Sequence, residues 1–431
     1  MSNIRDLIDH SRVTATQYAV IAICVILNML DGMDVVVISY AATAVAADLG
    51  IESSTLGIVF SAGLVGMTMG SAFLAPWADV MGRRKMIMLC VSVIGGGVLL
   101  TAAAQTVWQL VLLRFVSGLG IGAMLASTVT LASEYAPERL RNFVVSIVLT
   151  GYPIGATLSG FAAAKIVPDY GWRAMFVVAA VTTTAILPFT ILWLGESWEW
   201  LIKRQPVNAL QLVNRVLSKM GHAPLNEIPA MTQEAKGIPI AALFKHGRAG
   251  STIRLWIAFF CGFATLYFLL TWIPNLAENT GLSTELAIYS ATVMNLGAVI
   301  GNLIIGYISQ TIGLKRSIVL FYGAAAGLMA VFGLFHGNAV IMIAFGLIGF
   351  SSQGGLVGLY AVGARLYPAE ARNTGIGWAV GMGRIGAILS PAVGGLLVAA
   401  GFTLAKSLIV FAAPLLVACV AVWVIKAEEI S

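Results

Sequence analysis

The sequence predicts an all-α polytopic membrane protein: twelve transmembrane helices in two pseudo-symmetric six-helix bundles. Three observations carry this. Of 431 residues, 59% are hydrophobic and only 10% charged, against about 25% charged in an average soluble domain. Apolar runs long enough to cross a bilayer recur twelve times. The two halves also match each other at a constant offset of 231 residues. So few charges could not cover the surface of a water-soluble globule this size, so two or three ordinary soluble domains are excluded. The net charge of +6 fits basic cytoplasmic loops better than a nucleic-acid partner.

A helix crossing the hydrocarbon core needs roughly 20 apolar residues, and only a helix satisfies its own backbone there. The first six runs are 17–45, 53–78, 84–105, 107–133, 141–166 and 172–194. The second six are 252–278, 284–310, 315–336, 339–365, 371–400 and 403–425. Between the sets lies the one long polar stretch. It carries Lys203, Arg204, Arg215, Lys219, Lys236, Lys245 and Arg248, with Pro206, Pro224, Pro229 and Pro239. The expected division is an N-terminal bundle over 1–194, a cytoplasmic loop over 195–250 and a C-terminal bundle over 251–431. The first run begins too late, and is too long and polar-interrupted, for a cleavable signal peptide. With both termini cytoplasmic, 20 of the 25 Lys and Arg fall inside. Three fall outside (Lys165, Arg173, Lys406) and two within spans (Arg114, Arg384). That bias sets the orientation. Cys24, Cys90, Cys261 and Cys419 sit singly in apolar runs, which supports neither a zinc site nor a disulfide framework.

The repeat is clearest in the loops. Gly82 matches Gly313, and Arg84-Lys85 matches Lys315-Arg316. Pro137, Arg141 and Asn142 match Pro368, Arg372 and Asn373. Gly118 and Gly155 match Gly349 and Gly386, although single glycine matches mean little in a glycine-rich chain. Two parallel repeats of six spans are the plan of a large transporter class, with its substrate site at the midplane between the halves. A channel or receptor has no need of the duplication. A membrane enzyme would more often cluster catalytic His, Cys or acids, and none cluster here. His222 and His246 fall in the polar loop, His10 in the N-terminal tail and His336 near the outer surface; none is placed as a proton relay.

The turn after span 2 reads Ala75-Pro-Trp-Ala-Asp79-Val-Met-Gly82-Arg83-Arg84-Lys85. It resembles the major facilitator superfamily loop signature, with Ala75 in place of the first glycine. Gly82 permits a tight turn. Asp79, at a helix end, is expected to pair with the basic residues or cap an adjoining helix. Asp79, Gly82, Arg83 and Arg84 are thus the gating candidates, forming pairs that hold one state and break in the other. Gln310 stands where the second copy would have that aspartate, so the pairing should be weaker there. Arg114 followed by Gly118, Gly120 and Gly122 resembles the superfamily's span-4 motif. The segments Glu134–Arg141 and Gly195–Leu201 resemble loops of its organic-ion and sugar porters.

Four charges lie well inside spans, where each costs roughly 2.5–3.5 kcal/mol at the bilayer centre. Asp31 and Asp34, three residues apart, project from neighbouring positions on one face of span 1. Their repulsion and partial burial oppose two charges at once, so at least one should exchange a proton near neutral pH. Asp34 is the expected carrier. Arg114 lies ~9 Å inside span 4 and Arg384 ~18 Å inside span 11, from 1.5 Å of rise per residue. Guanidinium suits bidentate capture of a carboxylate. Arg384, among Gly381, Gly383 and Gly386 and with no acid in the C-terminal spans, points to an anionic ligand. The plainer alternatives are a static Asp34–Arg114 ion pair and pairing of Arg384 with a span-1 aspartate.

The Asp31-Gly-Met-Asp34 motif and Arg114 narrow the likeness, together with Tyr367–Trp378 and Gly383-Arg384-Ile-Gly386. They resemble the aromatic acid:proton symporters. That resemblance implies proton coupling at Asp31 and Asp34, transport roles for Arg114 and Arg384, and a benzoate or hydroxybenzoate substrate. It implies protons as the coupling ion and no other cofactor. One departure is Ala126-Ser127, where many members carry Pro-Asn in span 4. Tyr40, Tyr267, Trp272, Asn295, Gln353, Tyr360 and Trp378 could line a cavity for a planar ring, though each alone also suits packing. The expectation is a monomer in a bacterial inner membrane, without enzyme activity. A symporter for non-aromatic carboxylates and a proton-driven exporter stay open as alternatives.

Overall fold

In the computed structural model, residues 7–9, 13–228, 243–244 and 247–425 are described. His10, Pro229, Lys236, Pro239, Lys245 and His246 lie outside the described residues, as do parts of the anticipated loop and both ends of the chain. Among the described residues the architecture is all-helical. Ten stretches are long and apolar enough to cross a membrane. One of them, 56 residues long, holds two crossings. The twelfth crossing, Leu314–Ala330, has 17 residues.

The spans are α1 (Ala15–Tyr40), α2 (Ser53–Met81), α3 (Arg83–Ala102) and α4 (Val107–Tyr135). The run Glu138–Ala185 bends at Gly171, with φ 80°. Its arms are α5 (138–170) and α6 (172–185, prolonged by Leu187–Trp193). Then come α7 (Ala249–Asn279), α8 (Thr284–Ile312), α9 (Leu314–Ala330) and α10 (Asn338–Leu366). The series closes with α11 (Ala369–Ala399) and α12 (Leu404–Val424). Two boundaries differ from the sequence reading. The first span stops at Tyr40 and a separate short helix, Ala42–Leu49, follows, because the chain turns at Ala41 before reaching polar Asp48. The gap expected after 166 is helical up to Gly171, which alone supplies the turn. Helix starts use local polar caps: Thr14 with Gln17, Thr106 with Gln109, Ser283 and Thr403.

The repeat is present in the packing itself. Gly82 and Gly313 open α3 and α9 with nearly the same backbone, φ 99° and ψ 146° against φ 87° and ψ 148°. A side chain at Gly118 would run into the Gly63 carbonyl; at Gly349 it would run into the Met294 carbonyl. The offset carries Gly63 to Met294, so both bundles make one and the same contact. Gly155 against Met29 and Gly386 against Phe260 are a second such pair. Without a hydrophobic drive between helices in lipid, close approach at small residues is what holds a bundle together.

The contacts between bundles obey the same symmetry. Ser39 Oγ donates to the Leu270 carbonyl at 2.8 Å, a separation of 231 residues. Equivalent residues touch only where a pseudo-two-fold axis passes, so α1 and α7 meet on that axis. On either side, α2 packs on α11 and α5 on α8. Ser61 Oγ donates to the Ile388 carbonyl at 2.7 Å, and Thr292, the residue the offset pairs with Ser61, abuts Gly160. At the end away from the basic loops, Asn275 reaches Thr43 at 3.1 Å and Lys165 pairs with Glu285 at 2.6 Å. Phe161 packs on Tyr289, their centroids 5.9 Å apart. Every contact just named lies between mid-membrane and that far end.

Candidate functional site

Asp31 and Asp34 are both buried within α1, yet their surroundings differ. Asp34 Oδ2 accepts from Thr183 Oγ1 at 3.1 Å. Arg114 Nη2 donates to the Asp34 main-chain carbonyl at 2.8 Å. The guanidinium therefore addresses the backbone rather than forming the carboxylate pair considered above. Arg114 Nη1 and Asp34 Oδ1 are buried and without a hydrogen-bond partner. Asp31 has neither oxygen bonded, and the neighbouring Asn28 amide is equally unpaired. Burying polar atoms unpaired costs roughly 1–3 kcal/mol each, more for a charge. A buried carboxyl with neither donor nor counter-charge is carried at least cost as the neutral acid. Of the two acids, Asp31 is the one without any polar contact.

Arg384 is half-buried on α11, and no hydrogen bond or ion pair engages its side chain among the described residues. It lies within electrostatic reach of the hydroxyls of Tyr152, Tyr267 and Tyr360, from α5, α7 and α10. Gly381 and Gly377 beside it face open space. An aromatic row runs up α7 next to it. Trp256 stacks on Trp378 at 6.2 Å, Phe259 meets Tyr360 edge-on at 5.1 Å, and Phe263 stacks on Tyr267 at 6.0 Å. Tyr267 also lines a narrow cavity with Arg114, Thr271, Phe60 and Gly63, so it borders the surroundings of both arginines.

The remaining candidates divide. Tyr360 joins the Arg384 group, and Trp378 joins the row. Gln353 lies two turns from Tyr360 on one face of α10, with a buried, unpaired Oε1. Asn295 instead bonds the Tyr40 hydroxyl at 3.4 Å and the Ala291 carbonyl at 3.0 Å. Trp272 is fully buried in the seam between bundles. Its indole N–H donates to the Pro391 carbonyl at 2.9 Å, and Phe60 packs edge-on to it. Asn295 and Trp272 are thus engaged in the closed interface, not presented to Arg384. Ser127, at the departure from the family pattern, bonds its own helix at the Ala123 carbonyl, 3.2 Å. Sequence reasoning missed Tyr152, Phe259 and Phe263. The aromatic spacing along 256, 259, 263 and 267, one face of a helix, was the available signal.

At the basic end, Arg83 is held by Glu134 at 2.6 Å and by the Ser197 hydroxyl at 2.6 Å. Asp79 stands 3.7 Å from Arg83, with its side chain 68% exposed. Its main-chain carbonyl accepts from Trp200 Nε1 and Arg204 Nε at 3.1 and 2.7 Å. Glu196 accepts from the Arg84 amide at 3.0 Å, capping the start of α3. The expected Asp79–Arg83 pair is thus present but long and exposed, while Glu134 holds Arg83 more closely and Glu196 takes the capping role. In the second copy, Lys315 bonds the Ile425 carbonyl and lies over Trp423, 5.7 Å from its centroid.

Residues 24–330 and, overlapping them, 255–430 match the Major Facilitator Superfamily. The chain belongs to the major facilitator superfamily. It is therefore a multi-pass membrane transporter and not an enzyme. This major facilitator protein is 31% identical to the 4-hydroxybenzoate transporter PcaK of Pseudomonas putida, over 97% of this chain and 95% of that one. It is 30% identical to the gallate transporter of Pseudomonas putida, over 93% and 90%. Within the superfamily it sits with relatives named as aromatic acid transporters. Among solved structures it resembles a D-xylose-proton symporter, with TM-score 0.75, 16% identity, and 96% and 98% of the two chains covered. The inward open conformation of the xylose transporter XylE from E. coli gives TM-score 0.74 at 15% identity, over 96% and 99%. These last two likenesses concern the fold.

Proposed function

We propose that this transporter carries a small aromatic carboxylate, of the benzoate or hydroxybenzoate type, together with protons by alternating access. The observation that carries this is Arg384: a half-buried guanidinium with no carboxylate partner among the described residues, beside stacked aromatic rings at the interface of the bundles. A planar carboxylate would supply the missing counter-charge, and the Trp256–Tyr267 row would supply ring contacts. The names of the relatives support the same substrate class. Proton coupling rests on Asp31 and Asp34, acids that the other bundle holds buried with little or no compensation.

In this reading the state seen is inward-facing. The far-end contacts seal the outer mouth, while Trp378 and Tyr360 remain exposed toward the basic end. From the outward state, a proton neutralises one acid of the pair, Arg114 beside Asp34 balances the other, and the anion neutralises Arg384. Closure then buries no unmatched charge, so the loaded protein crosses over cheaply. Protonation alone leaves Arg384 uncompensated and should not permit the same step. Asp79, loosely paired with Arg83 in this state, would tighten that pairing when the inner mouth closes. The protein works as a monomer in a bacterial inner membrane, with both termini cytoplasmic and uptake favoured by external acid.

The test is binding and uptake of 4-hydroxybenzoate by the purified protein in vesicles. Arg384→Ala should weaken binding at least ~10-fold, as expected for loss of a charge-assisted bidentate contact, and abolish uptake. Accumulation that survives collapse of the proton gradient would refute the coupling. Competition by succinate but not benzoate would move the substrate class to non-aromatic acids.

A further inference from the structure

Neither the acid pair nor Arg384 explains how one senses the other, since they belong to different bundles. One side chain lies within electrostatic reach of both Asp31 and Arg384. Tyr152 on α5 has a buried hydroxyl without a hydrogen-bond partner. We propose that Tyr152 is the positioning residue that links the two sites: its hydroxyl donates to Asp31 when that carboxylate is ionised, and to the anion held at Arg384 when Asp31 is protonated. The inference rests on the proton-coupled reading above.

The local packing is built to bring Tyr152 there. Gly32, between the two aspartates, lies directly against the Tyr152 backbone, where any side chain would collide with its carbonyl. Glycine in the Asp-Gly-Met-Asp motif therefore sets the approach of α5. The equivalent crossing in the other bundle has the sizes reversed. The offset carries Gly32 to Phe263 and Tyr152 to Gly383, and the Phe263 ring fills the space against Gly383. Each crossing holds one aromatic and one glycine, but only the first aromatic carries a hydroxyl. The same offset carries Pro153 to Arg384, so Tyr152 precedes the position that mirrors the arginine.

The groups facing this hydroxyl come from several helices. Asp31 and Tyr40 face it from α1, Tyr267 from α7 and Arg384 from α11. Asp31 in turn faces Asp34 on its own helix and Cys90 on α3. Among these, only Asp31 and an anion at Arg384 offer a phenol a negatively charged acceptor that has no other donor. A phenol can donate to one acceptor at a time. Occupancy of one site therefore releases the donor for the other, a reciprocal linkage between proton and anion.

The test uses full-length protein in proteoliposomes with 4-hydroxybenzoate as probe. Wild-type affinity should tighten ~10-fold between about pH 8 and about pH 6, a coupling of ordinary size. Tyr152→Phe should bind like wild type at about pH 8 and more weakly at about pH 6, and so lose that ratio, to less than ~2-fold. Asp31→Asn should flatten the ratio too. The double variant should show the same flat pH ratio as Asp31→Asn alone, because the two residues form one coupled unit. A Tyr152→Phe protein with the wild-type ratio, or a double variant whose ratio differs from that of Asp31→Asn, would overturn the assignment. Should Tyr152→Phe not fold, 3-fluorotyrosine at position 152 keeps the shape. Its fluorine resonance should follow pH with Asp31 present and stop doing so in Asp31→Asn; an identical response in both would overturn the assignment. Wild-type protein that binds no 4-hydroxybenzoate, or binds it without regard to pH, would instead sink the proposed function on which this rests.

Discussion

Two carboxylates one helical turn apart on α1 have different company, and that difference decides what each can do. Thr183 and the nearby Arg114 tie Asp34 into the packing, whereas Asp31 has no donor. At the basic end, Glu134 is the buried anchor of Arg83 and Asp79 the exposed one. Glu134→Ala should therefore cost about 3–5 kcal/mol, the penalty for stranding a buried charge. Asp79→Asn should stay within about 0.5 kcal/mol, the range of surface substitutions. Thermal unfolding of the purified variants checks both, and equal losses would contradict the assigned roles. The sequence exposed these acids and arginines because charge in an apolar run is costly. It could not show Arg114 turning to a backbone carbonyl, since that choice depends on how α4 meets α1. Tyr152 was invisible for a similar reason: its partners lie far away in the chain, on α1, α7 and α11.

At the level of helices, glycines set the spacing, and their environments separate those that matter from those that do not. Gly349 lies against the Met294 backbone, whereas Gly323 on α9 has nothing nearby. Gly349→Val should overpack the α8–α10 crossing and cost about 1–3 kcal/mol. Gly323→Ala should be neutral or gain up to about 1 kcal/mol, because it restricts the unfolded chain and strains nothing. Melting temperatures of the two variants should move in opposite directions or, for Gly323→Ala, not at all. The number of spans and most of their limits were readable from hydropathy. The α5–α6 corner was not, because its turn is one glycine at φ 80° inside an otherwise unbroken apolar helix. The matched loop motifs revealed the repeat, while the matched glycines became meaningful only once their shared contacts were seen.

Across the whole molecule, one ion pair at the far rim, Lys165–Glu285, ties α5 to α8, one bundle to the other. Reversing either charge should favour the outward-facing state, and reversing both should restore wild-type behaviour. Both partners are substantially exposed, so the shift is modest and salt-sensitive. Cross-linking cysteines at 165 and 285 should stop transport until reduced. On the same rim, Arg173 and Trp172 hold the Asp48 carboxyl below its usual pKa. That interaction is complete above the ordinary carboxylate pKa of about 3.9 and is lost as pH falls through the depressed value. Stability between about pH 5 and about pH 8 should thus owe nothing to titration of Asp48. Melting curves of Asp48→Asn and wild type should stay parallel over that range and converge only in stronger acid.

The glycine contacts occur in both copies, but the charges do not. The 231-residue offset carries Asp31 to Gly262, Asp34 to Thr265 and Pro153 to Arg384. Two first copies joined together would own a double set of acids and lack Arg384, and two second copies would own that arginine twice and lack both aspartates. On the proposed mechanism the two halves therefore carry different tasks, one to hold the anion and one to couple the proton, and neither can be replaced by a duplicate of the other.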